Sequence, residues 1–258
     1  MQGEDIDRLK AFLDEKYNEY NTPGFIDGDP VSVPHSFENK EDIEIAALLT
    51  ATIAWGNRAS IIRSAKRMVK EMGSFPHEFL LQASDRDLLP FRHFVHRTFN
   101  GSDLLFFLKA LRGIYREKGG LQTVFEEGYH RSGTLRGALC HFRTVFLEAP
   151  HEKRSEKHVA NVAEHASGKR LCMFLRWMVR NDGRGVDFGL WKGIPSSALM
   201  LPLDVHTGTV SRSLGLLTRK QNDWKAVEEV TENLRRFDPG DPVKYDFALF
   251  GLGVSRIL

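Results

Sequence analysis

Apolar residues along this chain recur at intervals of three and four, the spacing that puts them on one face of a helix. Leu9, Phe12 and Leu13 set the pattern in a first helix. Residues 21–34 then hold three prolines and two glycines and read as a loop. Asn39 is in position to cap the next helix. Glu41, Asp42 and Glu44 put negative charge on its first turn, where the helix dipole favours it. From Ile43 to Ala54 the segment is apolar nearly all round, which predicts a central buried helix that stops at Gly56. A second helix over 58–72 carries Ile61, Ile62, Ala65, Met68 and Val69 as its apolar stripe. Further helices are predicted near 76–81, 102–118, 121–127, 135–146, 157–164 and 170–179, and two more near 207–217 and 224–235, with a last apolar segment at 245–252. Residues 181–202 contain four glycines and two prolines and read as an extended loop. There is little period-two alternation and no fixed repeat, so the expected class is all-α.

Composition narrows this only slightly. Hydrophobic residues make up 41% and charged residues 27%, which is ordinary for a globular chain and excludes a disordered one. With 36 basic and 34 acidic side chains the net charge is +2, so a nucleic-acid partner would have to meet a local patch. Two cysteines, Cys140 and Cys172, are too few for a disulfide framework, a four-thiolate zinc site or a Cys-ligated iron–sulfur cluster. A cytoplasmic protein is expected, since residues 1–10 lack a signal-peptide core and no run of 18 apolar residues occurs. His151, His158 and His165 are seven apart, about 10 Å along a helix, too far to share a metal. His93 and His96 have no completing ligand, and neither a phosphate-binding glycine loop nor a nucleophile elbow is present. No metal and no cofactor are expected.

The informative stretch is Leu201-Pro-Leu-Asp-Val-His-Thr-Gly-Thr-Val-Ser-Arg-Ser-Leu-Gly-Leu216. Asp204 precedes an amphipathic helix, where its carboxylate can accept the N–H of His206 or Thr207. Read by itself, that is a plain helix cap. The run Leu-Asp-Val-His-x-x-x-Val-Ser-Arg-x-Leu-Gly-Leu also resembles the catalytic-aspartate segment of the helix-hairpin-helix DNA glycosylases, the endonuclease III and 8-oxoguanine glycosylase superfamily. Ile45-Ala-Ala-Leu-Leu-Thr-Ala-Thr-Ile-Ala-Trp-Gly-Asn57 is similar to that family's early buried helix, and Tyr245-Asp-Phe-Ala-Leu-Phe-Gly-Leu-Gly253 to its closing helix. The whole sequence also resembles a bacterial family placed near these glycosylases.

The resemblance implies two helical subdomains with a cleft between them. Residues 39–200 would form a barrel-like bundle carrying the hairpin, and 1–38 plus 201–258 the second subdomain. The hairpin would be Ala166-Ser-Gly-Lys-Arg-Leu-Cys-Met-Phe-Leu-Arg-Trp177, with Gly168 at the turn and Lys169 as the nucleophile that attacks the sugar C1′. This hairpin has one glycine where the family usually has two. The stretch from Lys169 to Asp204 is also longer than in common members. Lys192 is a fallback nucleophile.

An amine attacks only when neutral, and free lysine titrates near 10.4, so this role requires surroundings that favour the neutral form. Arg170 and the helix N-terminus would provide such surroundings. The alternative for Lys169 is an exposed phosphate contact. Asp204 would stabilise positive charge on the sugar as the glycosidic bond breaks. His206 matches a family histidine near the lesion-side phosphate or base, or is simply part of the cap.

Asn57, Arg58, Arg63, Lys66, Arg67 and Lys70 are candidate DNA contacts. The last four fall on one helical face, which could equally be a solvated surface. Trp55, Trp177 and Phe247 are candidate walls for an extruded base, with Trp191 also considered; each could instead be core. The expected partner is double-stranded DNA with a damaged base, and the expected state is a monomer not associated with membranes. A nucleic-acid-binding protein that keeps the fold without the chemistry is the alternative.

Overall fold

The computed structural model describes residues 3–254, and its regular structure is helical almost throughout. Chain order gives α1 (Gly3–Tyr20), α2 (Gly24–Asp27), α3 (Lys40–Thr52), α4 (Arg58–Lys70), α5 (Pro76–Gln82), a hairpin of β1 (Val95–His96) and β2 (Phe99–Asn100), and α6 (Gly101–Glu117). Then come α7 (Leu121–Ser132), α8 (Leu135–Phe146), α9 (Lys169–Val179), α10 (Val205–Ser213), α11 (Trp224–Arg235) and α12 (Asp246–Val254), with short 3-10 turns between them. No helix among the described residues is long and apolar enough to cross a membrane.

The chain forms two compact units. Ile26–Ala163 make one; the residues up to Phe25 join those from Glu164 onward to make the other. The division therefore falls at 25/26 and 163/164, where the sequence reading set it at 38/39 and 200/201. One consequence is that the candidate hairpin and Asp204 belong to the same unit.

In the unit 26–163, α3 is the axis. Its residues from Asp42 to Thr52 are all buried, and each acidic group among them has a partner. Asp42 accepts the His77 N–H at 2.8 Å, and Glu44 accepts the Tyr115 hydroxyl at 2.7 Å. These bonds offset the desolvation of two carboxylates inside an apolar layer. The α7–α8 pair is a tight antiparallel hairpin. Gly133, left-handed at φ 68°, ends α7, and the Thr134 hydroxyl caps α8 by accepting the Gly137 N–H at 3.1 Å. Phe125 stacks on Phe142 with ring centroids 4.4 Å apart. The β1–β2 hairpin pairs Val95 with Asn100 and His96 with Phe99, in strands too short to show an alternating pattern.

In the other unit, α1 and α10 both pack on α12. The approach of α1 is close: a Cβ on Gly251 would lie 2.2 Å from the Tyr20 ring. The helix expected over 157–164 is absent. Two 3-10 turns, Lys153–His158 and Val162–Glu164, stand there instead. Arg143 explains the first of them. Its guanidinium donates to the carbonyls of Glu156 and Val159 and pairs with the Glu156 carboxylate, drawing that backbone out of helical hydrogen bonding. The segment before Gly168 is extended, with Ala166 bridged to Asp223. The hairpin as expected, with an α-helix on each side, is therefore half formed.

Candidate active site

Gly168 is left-handed at φ 66° and serves as the N-cap of α9, so Lys169 is the first residue of the helix. The sequence reading of Gly168 as a turn residue needs this backbone conformation, which glycine adopts without steric strain. Asp204 is the extended N-cap of α10 in a reciprocal box with Thr207. Its Oδ1 accepts the Thr207 N–H at 2.9 Å, and the Thr207 hydroxyl accepts the Asp204 N–H at 2.8 Å. Asn222 donates to the Asp204 carbonyl at 2.9 Å and is itself held by Arg212. Gly208 makes room for this: a Cβ there would be 2.8 Å from Asn222 Oδ1.

With one oxygen used for capping, Asp204 turns the other to Lys169. Nζ and Oδ2 are 2.9 Å apart, with the side chains 30% and 17% exposed. Burial works to raise the Asp204 carboxyl, but the Lys169 charge and the Thr207 hydrogen bonds outweigh it and hold the group below the ordinary carboxylate range. The pair is thus an ionised carboxylate beside an amine, both within reach of solvent.

Behind the pair lies a buried ionic chain. On α9, Arg176 contacts the Asp246 carboxylate through Nη1 and Asp187 Oδ1 through Nε at 3.2 Å. One turn further on, Arg180 reaches Asp187 at 3.0 Å, Asp182 at 3.0 Å and Asp241 at 2.8 Å. Its guanidinium also donates to the Tyr17 hydroxyl at 3.0 Å. Burial pushes Asp246 up to about 6 despite Arg176, and the Asp204 charge adds to the rise. Asp187 and Asp246 both anchor Arg176, which fixes α9 against α12 and the 181–190 segment.

The other expected residues fall into two groups. Gly168, Lys169, Arg170, Asp204 and His206 share one unit, with His206 exposed and its Cβ backed by Gly253. Burial draws Arg170 down to about 10. Asn57, Arg58, Arg63, Lys66, Arg67 and Lys70 belong to the other unit. There Asn57 caps α4 by accepting the Ser60 N–H at 3.1 Å, and the four charges on one face are exposed.

Three expectations are corrected. Trp177 and Phe247 are wholly buried, so they are core rather than walls of a pocket; Arg176 lies over the Phe247 ring at 4.4 Å. Trp191 is likewise buried, edge-on to Phe174. Lys169 and Asp204 meet inside one unit, not across a boundary between two. Lys192 is exposed, and its amine donates to the Gly189 carbonyl at 2.6 Å, whereas the amine paired with Asp204 is that of Lys169. Trp55 is half-buried and stacks on His158. Among the described residues no group of His, Cys, Asp and Glu is arranged to hold a metal ion.

The sequence reading missed Arg176, Asp187 and Asp246. The signal was available: Arg176 interrupts a run that is apolar on every side, and Asp187 and Asp246 each stand next to a phenylalanine. A charge that is surrounded by core residues needs a partner.

The family described as a protein of unknown function, DUF2400, matches residues 29–255. No curated protein and no solved structure matches the chain.

Proposed function

The chain belongs to the DUF2400 family, and for it we propose, from the resemblance of the Asp204 segment together with the chemistry of the site, excision of a damaged base from double-stranded DNA by an N-glycosylase, to which a lysine nucleophile would add lyase activity. The observation that supports this most directly is the 2.9 Å approach of Lys169 Nζ to Asp204 Oδ2 between two helix N-termini. In the reaction Nζ first gives its extra proton to solvent, and its lone pair then bonds to the sugar C1′ as the bond from C1′ to the base breaks. The electron pair of that bond leaves with the base, which takes up a proton. While the bond breaks, the ionised Asp204 offsets the cationic character at C1′, and once the N–C1′ bond has formed its Oδ2, within hydrogen-bond distance, accepts the proton that Nζ sheds. The capping box supports that role because it fixes the carboxylate before substrate arrives. Borohydride added to a reaction on a lesion-bearing duplex should trap a covalent adduct. A panel of oxidised, alkylated and deaminated bases with no excision would refute the reading.

A second reading, nucleic-acid binding without chemistry, draws on a separate observation: the exposed basic face of α4 belongs to the unit that lacks the Lys–Asp pair. Under it, duplex binding would be salt-dependent and unaffected by Asp204→Asn.

A further inference from the structure

The most uneven charge distribution in the unit 26–163 lies on α4 and the hairpin that follows it in space. Residues 58–70 and 88–102 contain no acidic residue. On α4 the buried side is Ile61, Ala65, Met68 and Val69, which leaves Arg63, Lys66, Arg67 and Lys70 in solvent. The hairpin is fastened to the edge of this face. Arg67 donates to the Val95 carbonyl at 3.0 Å and lies over the Phe94 ring at 4.9 Å, and the His96 ring nitrogen Nδ1 meets the Ser64 hydroxyl at 3.0 Å. Arg154 holds the turn through the Thr98 carbonyl at 3.2 Å and β2 through Asn100 Oδ1 at 3.2 Å.

At the hairpin tip Arg97 is exposed and left-handed at φ 54°, an uncommon conformation for a residue with a Cβ. Its guanidinium lies over Gly56, where a Cβ would come within 2.6 Å of Nη1. Among the described residues Arg63, Lys66, Lys70 and Arg97 form no ion pair, and Arg67 is engaged with the Val95 carbonyl. The acid that follows the hairpin, Asp103, is fully buried and taken up by Arg154, Ser155 and the Asn100 N–H. Glu71 stands only at the C-terminal end of α4.

We propose that the β1–β2 hairpin is a phosphate-contacting element, in which Arg97 extends the α4 face of Arg63, Lys66 and Lys70 into one surface for the backbone of duplex DNA. Unpaired cations on a helix face adjoining an arginine-tipped turn suit a row of phosphates, and the hairpin that carries Arg97 is held to that face through Arg67 and Ser64. The surface reads backbone charge, so its contribution is independent of base sequence. The inference rests on the nucleic-acid part of the reading above and is separate from its chemistry.

The test uses the full chain and an undamaged, labelled duplex, with binding measured between about 50 and 200 mM salt. Arg97→Asn removes the charge while keeping a residue that tolerates the left-handed region. The salt slope should fall by about 1 for this variant and by about 2 for Lys66→Gln/Lys70→Gln, and Arg97→Lys should restore it. Arg131→Gln should leave the slope unchanged.

A slope identical to wild type for Arg97→Asn would overturn the inference, whatever Lys66→Gln/Lys70→Gln does and even if lesion chemistry is present. Altered slopes in a protein with no lesion chemistry would uphold it and remove the glycosylase reading. A wild-type protein with no affinity for duplex, or one whose Arg97-dependent binding is to phosphatidylserine vesicles instead, would also overturn it.

Discussion

Lys169 and Asp204 are each fixed by the helix end they occupy, and those two helix ends bring Nζ and Oδ2 to 2.9 Å although the residues are about 35 apart in sequence. A left-handed glycine starts one helix and a reciprocal cap starts the other. The ion pair therefore follows from backbone placement rather than from two long side chains searching for each other.

That arrangement allows structure and chemistry to be separated at Asp204. Asparagine caps helices as well as aspartate does, so Asp204→Asn should change stability by no more than about 1 kcal/mol, the value of a partly exposed ion pair. Base release should nevertheless fall by about 10²–10³-fold, as expected when one preorganised stabilising group is lost. Single-turnover excision together with urea unfolding tests both halves. Equal excision by the variant would remove Asp204 from the reaction.

For Lys169 the readout is covalent. Lys169→Ala should give no borohydride-trapped adduct on a duplex that wild type traps, with thermal stability nearly unchanged because the residue lies at the first position of its helix. An adduct that persists would transfer the nucleophile to another amine, and Lys192 would be examined first.

Asp246 should leave a mark on the pH dependence of stability. Its carboxyl, pushed up to about 6, titrates above the ordinary aspartate range, so between about pH 4 and pH 6 the native protein binds more protons than the unfolded chain. Its contribution to stability is then lost as pH rises through that window, by about 3 kcal/mol for about two units. The stability difference between wild type and Asp246→Asn should shift by that amount between pH 4 and 6.5 in denaturant titrations. Parallel curves would show that the carboxyl is not raised.

Asp182 should act in the opposite direction. Burial opposes ionisation there, but the Tyr17 hydroxyl, the Arg184 N–H and the Arg180 charge hold it down to about 2. Its stabilisation, about 2 kcal/mol, is present above pH 4 and is lost as pH falls toward 2. Asp182→Asn should therefore flatten the acid limb of the unfolding profile. A variant with the same acid midpoint as wild type would contradict this.

The contact of α1 with α12 can be tested by one methyl group. Gly251→Ala drives a Cβ into the Tyr20 ring, and overpacking of this kind destabilises by about 1–3 kcal/mol. At about 2–4 °C per kcal/mol for a chain of this size, Tm should drop by about 3–10 °C in calorimetry. An unchanged Tm would mean that Tyr20 swings clear at no penalty.

Helices whose ends are written locally could be read from the sequence. The predicted 135–146 and 224–235 agree with α8 and α11, where Thr134 and Asp223 cap the first turns. The all-round burial of α3 followed from its composition, and Asp204 was legible because a cap is a feature of four adjacent residues. The turns at 153–158 were not, since Arg143 imposes them from another element. The hairpin was missed because each strand is two residues long and its tip depends on a left-handed arginine. Arg176 and Asp246 lie 70 residues apart, a pairing that no local pattern encodes. Trp177 and Phe247 were assigned to a pocket by their chemistry, whereas helical spacing alone assigned them to the core.

The unit that carries Lys169 and Asp204 joins α1 to α12 across the whole of the unit 26–163. On the ribosome, residues 26–163 emerge as an unbroken stretch and can collapse as they appear. The first helix has to wait for nearly all the rest to be translated before its partner exists. A product cut off before α12 would hold Lys169 and Asp204 but lack the helix on which α1 and α10 pack.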